Sequence, residues 1–126
     1  MINKKSLFSF IILDVLISGQ SAIAGGDAIS TMASIMMNLN HYPSDSEKQT
    51  LNGIANNSAA SEHERIMAQA MINLQHKASD ADMPKLKKIM NDDSASADAK
   101  DLAGIILNLN HKPSGSDKAR LKKMMH

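Results

Sequence analysis

Apolar side chains recur at helical spacing in three segments of the chain that lie 35 residues apart. In each segment they occupy positions i, i+1, i+4 and i+5, as they do from Met32 to Met37. This spacing places the apolar side chains on one stripe of an α-helix. The pattern predicts a helix, here called helix A, over residues 27–39, 62–74 and 97–109.

A shorter apolar pattern follows each helix A. Leu51, Ile54 and Ala55 have apolar counterparts 35 and 70 residues later, and the i, i+3, i+4 spacing predicts a short helix B with one buried stripe. A serine followed three residues later by an acidic residue marks each start, as expected for a helix N-cap. These serines are Ser44, Ser79 and Ser114.

Pro84 lies late for a helix that begins at Ser79. A proline is tolerated in the first turn of a helix but not in its interior. The second helix B is therefore predicted to start nearer Asp82.

One short motif is written three times without insertion, as Asn38 to His41, Asn73 to His76 and Asn108 to His111. A repeat of this length indicates one small unit stacked on itself. No segment shows the alternation that a strand requires. The sequence predicts an all-α fold of three stacked antiparallel helical hairpins, with six short helices from a 35-residue repeat.

Residues 1–24 have the features of a secretory signal peptide. Lys4 and Lys5 precede an apolar run, and Ala22 to Ala24 form a small-x-small cleavage site. The apolar run is shorter than the ~20 residues that span a bilayer. We predict an exported chain, periplasmic or secreted, whose residues 25–126 form one helical-repeat domain without a transmembrane segment. The absence of cysteine excludes disulfides.

Charge is distributed unevenly along the predicted mature chain. Residues 25–75 carry a formal charge of −3 and residues 76–126 a charge of +3. The basic residues of the second and third helix B form a candidate contact surface for an acidic protein or an anionic surface, although a solvated helix face has the same pattern. These residues are Lys85, Lys87, Lys88, Arg120, Lys122 and Lys123.

The recurring histidines His41, His76 and His111 raise the question of a metal site. Equivalent positions on stacked hairpins are expected to lie about 10 Å apart, whereas ligands lie about 2 Å from a shared ion. The stacked arrangement therefore assigns no metal ligands and no cofactor. A histidine close to a helix C-terminus is explained by the negative charge of that terminus.

The methionines of helix A are interpreted as core residues, because leucine or isoleucine takes the same positions in the third copy. Two local groups of methionine and histidine remain candidates for a Cu(I) site. They are Met36 with Met37 and His41, and Met124 with Met125 and His126.

The asparagines Asn38, Asn73 and Asn108 have two interpretations. Each amide either closes the turn that follows helix A or joins a hydrogen-bonded ladder between repeats.

Catalytic motifs are missing. His63 and Glu64 begin like a zinc-protease helix, but Met67 replaces the second histidine. The predicted mature chain, residues 25–126, has a formal charge of zero and Tyr42 as its one aromatic residue, so it lacks the basic charge and the stacking aromatics that nucleic-acid binding uses. The leading hypothesis is an exported non-enzymatic protein that binds a protein or peptide, or serves as a structural module of the cell envelope. The alternative is a metal-handling protein, for copper or zinc, or a stress-related envelope protein.

Overall fold

The computed structural model describes residues 26–125, which form six α-helices and no strand. This confirms the all-α prediction. The predicted signal peptide and His126 lie outside the described residues. The helices are α1 (Gly26–Met37), α2 (Asp45–Ala55), α3 (Glu62–Ile72), α4 (Met83–Met90), α5 (Ala97–Leu107) and α6 (Gly115–Met124).

The helices begin at the caps that the sequence predicts. The Ser44 hydroxyl accepts a hydrogen bond from the Glu47 N–H, 3.2 Å, and the Glu47 carboxylate accepts one from the Ser44 N–H, 2.9 Å. The same reciprocal pair starts α3 at Ser61. Helix α4 has Asp82 as its N-cap and Pro84 in its first turn, as predicted.

Each helix A ends two residues earlier than predicted. Asn73 and Asn108 cap α3 and α5, so Leu74 and Leu109 lie outside the helices. These leucines are nevertheless buried, with exposed fractions of 1% and 4%. The apolar pattern continues past the cap because the leucine packs on the core after the helix has ended.

The helices pack into a closed ring. Helix α2 packs against α3, α4 against α5, and α6 returns to pack against α1. Helices α1, α3 and α5 also contact one another, so they form the inside of the ring. Helix-hairpin packing agrees with the prediction, but the most extensive pairs join helix B of one unit to helix A of the next, and the described part of the chain has no free first or last hairpin.

The core includes the apolar residues that recur every 35 residues, here called the apolar columns. Ala33, Ala68 and Ala103 on the three inner helices are completely buried. Small residues at these positions let the inner helices approach one another. The leucines of the columns 35 residues apart are all at most 4% exposed. They are Leu39, Leu74, Leu109, Leu51, Leu86 and Leu121.

None of the helices in the described range has both the length and the apolar character needed to cross a bilayer.

Candidate metal centre

A histidine stands at the apex of a tight turn after each inner helix. The residues on either side of it form an isolated antiparallel bridge. In the third turn the Lys112 N–H donates to the Asn110 carbonyl, 2.8 Å, which closes a three-residue γ-turn around His111. The bridged pairs are Asn40 with Tyr42, Gln75 with Lys77, and Asn110 with Lys112.

The three histidines have left-handed backbone conformations. Their φ angles are 76° at His41, 71° at His76 and 70° at His111. A residue other than glycine in this region costs on the order of 1 to 3 kcal/mol. Histidine is among the residues found there more often than most. The same strain is thus present three times, at the same point of each turn.

A ring of backbone hydrogen bonds joins the three turns. The His41 N–H donates to the His111 carbonyl, 2.7 Å, the His76 N–H to the His41 carbonyl, 2.7 Å, and the His111 N–H to the His76 carbonyl, 2.6 Å. Each turn donates to one neighbour and accepts from the other. Each histidine N–H and carbonyl group is therefore hydrogen-bonded to another turn, and these bonds close the ring of helices at this end.

The imidazole side chains converge on a common centre. The Nδ1 atoms lie 3.0 Å apart for His41 and His76, 3.1 Å for His41 and His111, and 3.0 Å for His76 and His111. The ring centroids are 4.8 to 5.1 Å apart, and the ring planes meet at 72 to 81°. The expected separation of about 10 Å is wrong because the hairpins surround an axis instead of stacking in a row.

This geometry suits a cation. An Nδ1–H of one neutral imidazole can donate to the Nδ1 lone pair of another, but among three nitrogens that all face one another at least one pair is alike, two lone pairs or two N–H groups, and that pair repels. An ion about 2 Å from each nitrogen accepts all three lone pairs. A tetrahedral Zn²⁺ site needs about 3.3 Å between nitrogens, which a small outward movement of each ring provides.

Among the described residues, no other histidine, aspartate or glutamate joins this cluster. His76 and His111 are exposed and His41 is half-buried. The centre therefore lies at the surface.

His63 belongs to a different site. Its Nε2 lies 2.9 Å from a carboxylate oxygen of Asp92. Hydrogen bonds from the Ser94 hydroxyl and N–H, then the contact with His63, lower the pKa of the Asp92 carboxyl to about 2. Glu64 is occupied in the N-cap of α3 and Met67 is completely buried. Glu64 thus serves the start of α3, Met67 belongs to the core, and His63 pairs with Asp92.

The methionines of helix A are core residues, as predicted. Met32, Met36, Met67 and Met71 are completely buried. Met36 is thus part of the core, while His41 faces the other two histidines. Met124 is buried and Met125 is 37% exposed.

The asparagine amides bond within their own hairpins. The Asn38 amide donates to the Ser34 carbonyl, 3.1 Å, and the Asn73 amide to the Asp82 carboxylate, 3.1 Å. The Asn73 bond fits the turn-closing interpretation because it reaches the N-cap of α4, whereas the Asn38 bond goes back to the last turn of α1. The ladder between repeats exists, but the histidine backbone forms it.

The six basic residues of the candidate contact surface are all exposed. They lie on α4 and α6, and these two helices do not contact each other in the described part of the chain. Lys85 and Lys88 line a cleft of about 330 Å³ with His63 and Asp92. The basic residues of α4 are therefore not joined to those of α6 by a contact between the two helices.

Comparisons with protein-family models, with curated proteins and with solved structures find no match. We therefore describe the protein by its fold, a closed ring of six helices, and by its candidate site, the cluster of three histidines.

Proposed function

We propose that the protein binds one divalent transition-metal ion, Zn²⁺ or Cu²⁺, at the three-histidine centre. The observation that carries this proposal is the convergence of three Nδ1 atoms within 3.1 Å of one another. Imidazole is a preferred ligand of both ions, and the Irving–Williams order places Cu²⁺ and Zn²⁺ among the tightest divalent binders.

The backbone supports the same proposal. Three strained turns persist only where the surrounding structure holds them, and such strain is concentrated at functional sites. Packing does not explain it, because the rings of His76 and His111 are exposed. A ligand set held in place by the ring of backbone bonds loses little freedom when an ion arrives.

Metal titration of the purified, untagged protein tests the proposal. We expect one Zn²⁺ per chain by equilibrium dialysis. His76→Asn should lower the affinity by at least about 100-fold, equivalent to about 2.7 kcal/mol. Asparagine is chosen because it also accepts a left-handed backbone.

His63→Gln is the matched control, because it removes a histidine that lies 2.9 Å from Asp92 and outside the cluster. Tyr42 provides a second readout for Cu²⁺. It is the only tyrosine in a chain without tryptophan, and it follows His41 directly. We expect one equivalent of Cu²⁺ to quench its fluorescence. Equal affinities of parent and His76→Asn would contradict the proposal.

A second candidate function is the exported partner-binding module. The exposure of the basic residues on α4 and α6 favours it, and the features of residues 1–24 support export. N-terminal sequencing of secreted material should begin at Gly25. Replacing the six basic residues with glutamine should keep the helicity and abolish capture of an acidic partner at low salt, where charge attraction is least screened.

A further inference from the structure

An ion at the three-histidine centre has room for another ligand. For nitrogens 3.0 to 3.1 Å apart, an ion about 2 Å from each lies about 1 Å outside the plane of the three nitrogens. The three protein ligands then occupy one side of the ion, and its other side is open.

No histidine, aspartate or glutamate of the described residues closes that side. No fourth histidine or carboxylate belongs to the cluster, and the exposed rings of His76 and His111 place the centre at the surface. Three protein ligands with an open position distinguish reactive zinc sites from structural ones, in which the protein supplies all four ligands.

The charge around the centre selects the kind of ligand. Three neutral imidazoles leave the ion its full charge of about +2. Lys77 follows His76 directly, Lys112 follows His111, and both lysines are exposed. No carboxylate of the cluster offsets these charges within the described residues.

We propose that the open coordination position binds a small anion, of the carboxylate class, and that Lys77 and Lys112 strengthen this binding by their charge. This inference rests on the proposed metal binding. It gives the protein a ternary complex of chain, metal and anion, in which Lys77 and Lys112 act without being metal ligands.

Cobalt substitution tests the inference, because the visible absorption of Co²⁺ responds to its ligands. The protein loaded with one equivalent of Co²⁺ is titrated with azide, and separately with acetate, at constant ionic strength maintained with perchlorate. We expect a saturable change of the Co²⁺ bands with each anion. Lys77→Gln/Lys112→Gln should raise the azide dissociation constant about three- to tenfold.

The control variant Lys87→Gln/Lys122→Gln makes the same change of charge in the last turns of α4 and α6. Its azide dissociation constant should match that of the parent. Failure to bind Zn²⁺ and Cu²⁺ as well as Co²⁺ would overturn the proposed function itself, and failure with Co²⁺ alone would overturn the open position as an anion site of this metal class. A Co²⁺ complex whose spectrum does not respond to either anion would overturn only the open position. An equal loss of azide affinity in both double variants would overturn the role of Lys77 and Lys112.

Discussion

The leucines and the histidines of the repeated motif lie two residues apart and follow the same 35-residue spacing, yet the structure treats them in opposite ways. Leu39, Leu74 and Leu109 are 1 to 4% exposed. The histidines after them are half-buried or exposed, with left-handed backbones. Burial explains the leucines, whereas nothing in packing requires a strained histidine at the surface three times over. Repetition in a sequence thus marks important positions. Burial and backbone conformation then show whether a repeated residue packs the core or belongs to a functional site.

The largest effect is expected from the leucines. Leu74→Ala should lower the free energy of unfolding by about 2 to 5 kcal/mol, because it leaves a cavity in the core. Denaturant unfolding of the metal-free protein measures this. Leu107→Ala, at a position only partly buried, is the control and should cost less. A Leu74→Ala variant as stable as the parent would mean that the motif leucines do not hold the core.

The next effect comes from the ion. Because the site contains one residue from each hairpin and does not exist in the unfolded chain, free Zn²⁺ at about 100 times its dissociation constant should raise the free energy of unfolding by about 2.7 kcal/mol. Thermal unfolding with and without Zn²⁺ measures the increase. His76→Asn should lose this response while His63→Gln keeps it. Stabilisation of all three proteins alike would point to binding elsewhere on the chain.

The stability of the metal-free His76→Asn variant distinguishes the role of the histidines from that of the leucines most clearly, although the expected change is small. In the absence of metal, His76→Asn should change the free energy of unfolding by less than about 1 kcal/mol, because asparagine tolerates the left-handed backbone and the ring of backbone hydrogen bonds needs no side chain. A loss as large as that of Leu74→Ala would show that the imidazoles are packing residues.

The smallest effect concerns Asp92. Its folded pKa, lowered from 3.8 to about 2, makes the charged form favour folding. That contribution is complete above the unfolded pKa and is lost as the pH falls from about 4 towards 2. Between about pH 5 and about pH 3, the parent should lose more stability than Asp92→Asn. Asparagine suits this turn, because the Asn57 side chain accepts the same local bond in the preceding loop, from the Ala59 N–H at 2.9 Å. Equal losses would assign the acid sensitivity to other groups.

The helices could be predicted because each is specified locally. The serine caps, the apolar stripe and the first-turn Pro84 are all read within a few residues. The error was confined to the ends of helix A, where Leu74 and its counterparts are buried without being helical.

The centre could not be predicted from a stacked arrangement because it depends on closure, which is set by the packing of α6 against α1. One signal was available. Terminal units of open repeat arrays carry atypical, polar outer faces, whereas the first and last copies here keep the same apolar columns, with Met32 and Leu102 both completely buried. A second signal is the occurrence of histidine, which tolerates positive φ, at the same turn position in every copy.

A crystal structure of the Zn²⁺-loaded protein, with the ion located by its anomalous scattering, tests the central claim most directly. We expect one strong anomalous peak about 2.0 to 2.1 Å from the Nδ1 atoms of His41, His76 and His111. An ion bound elsewhere, or three histidine rings turned away from one another around an unbound centre at saturating Zn²⁺, would contradict it.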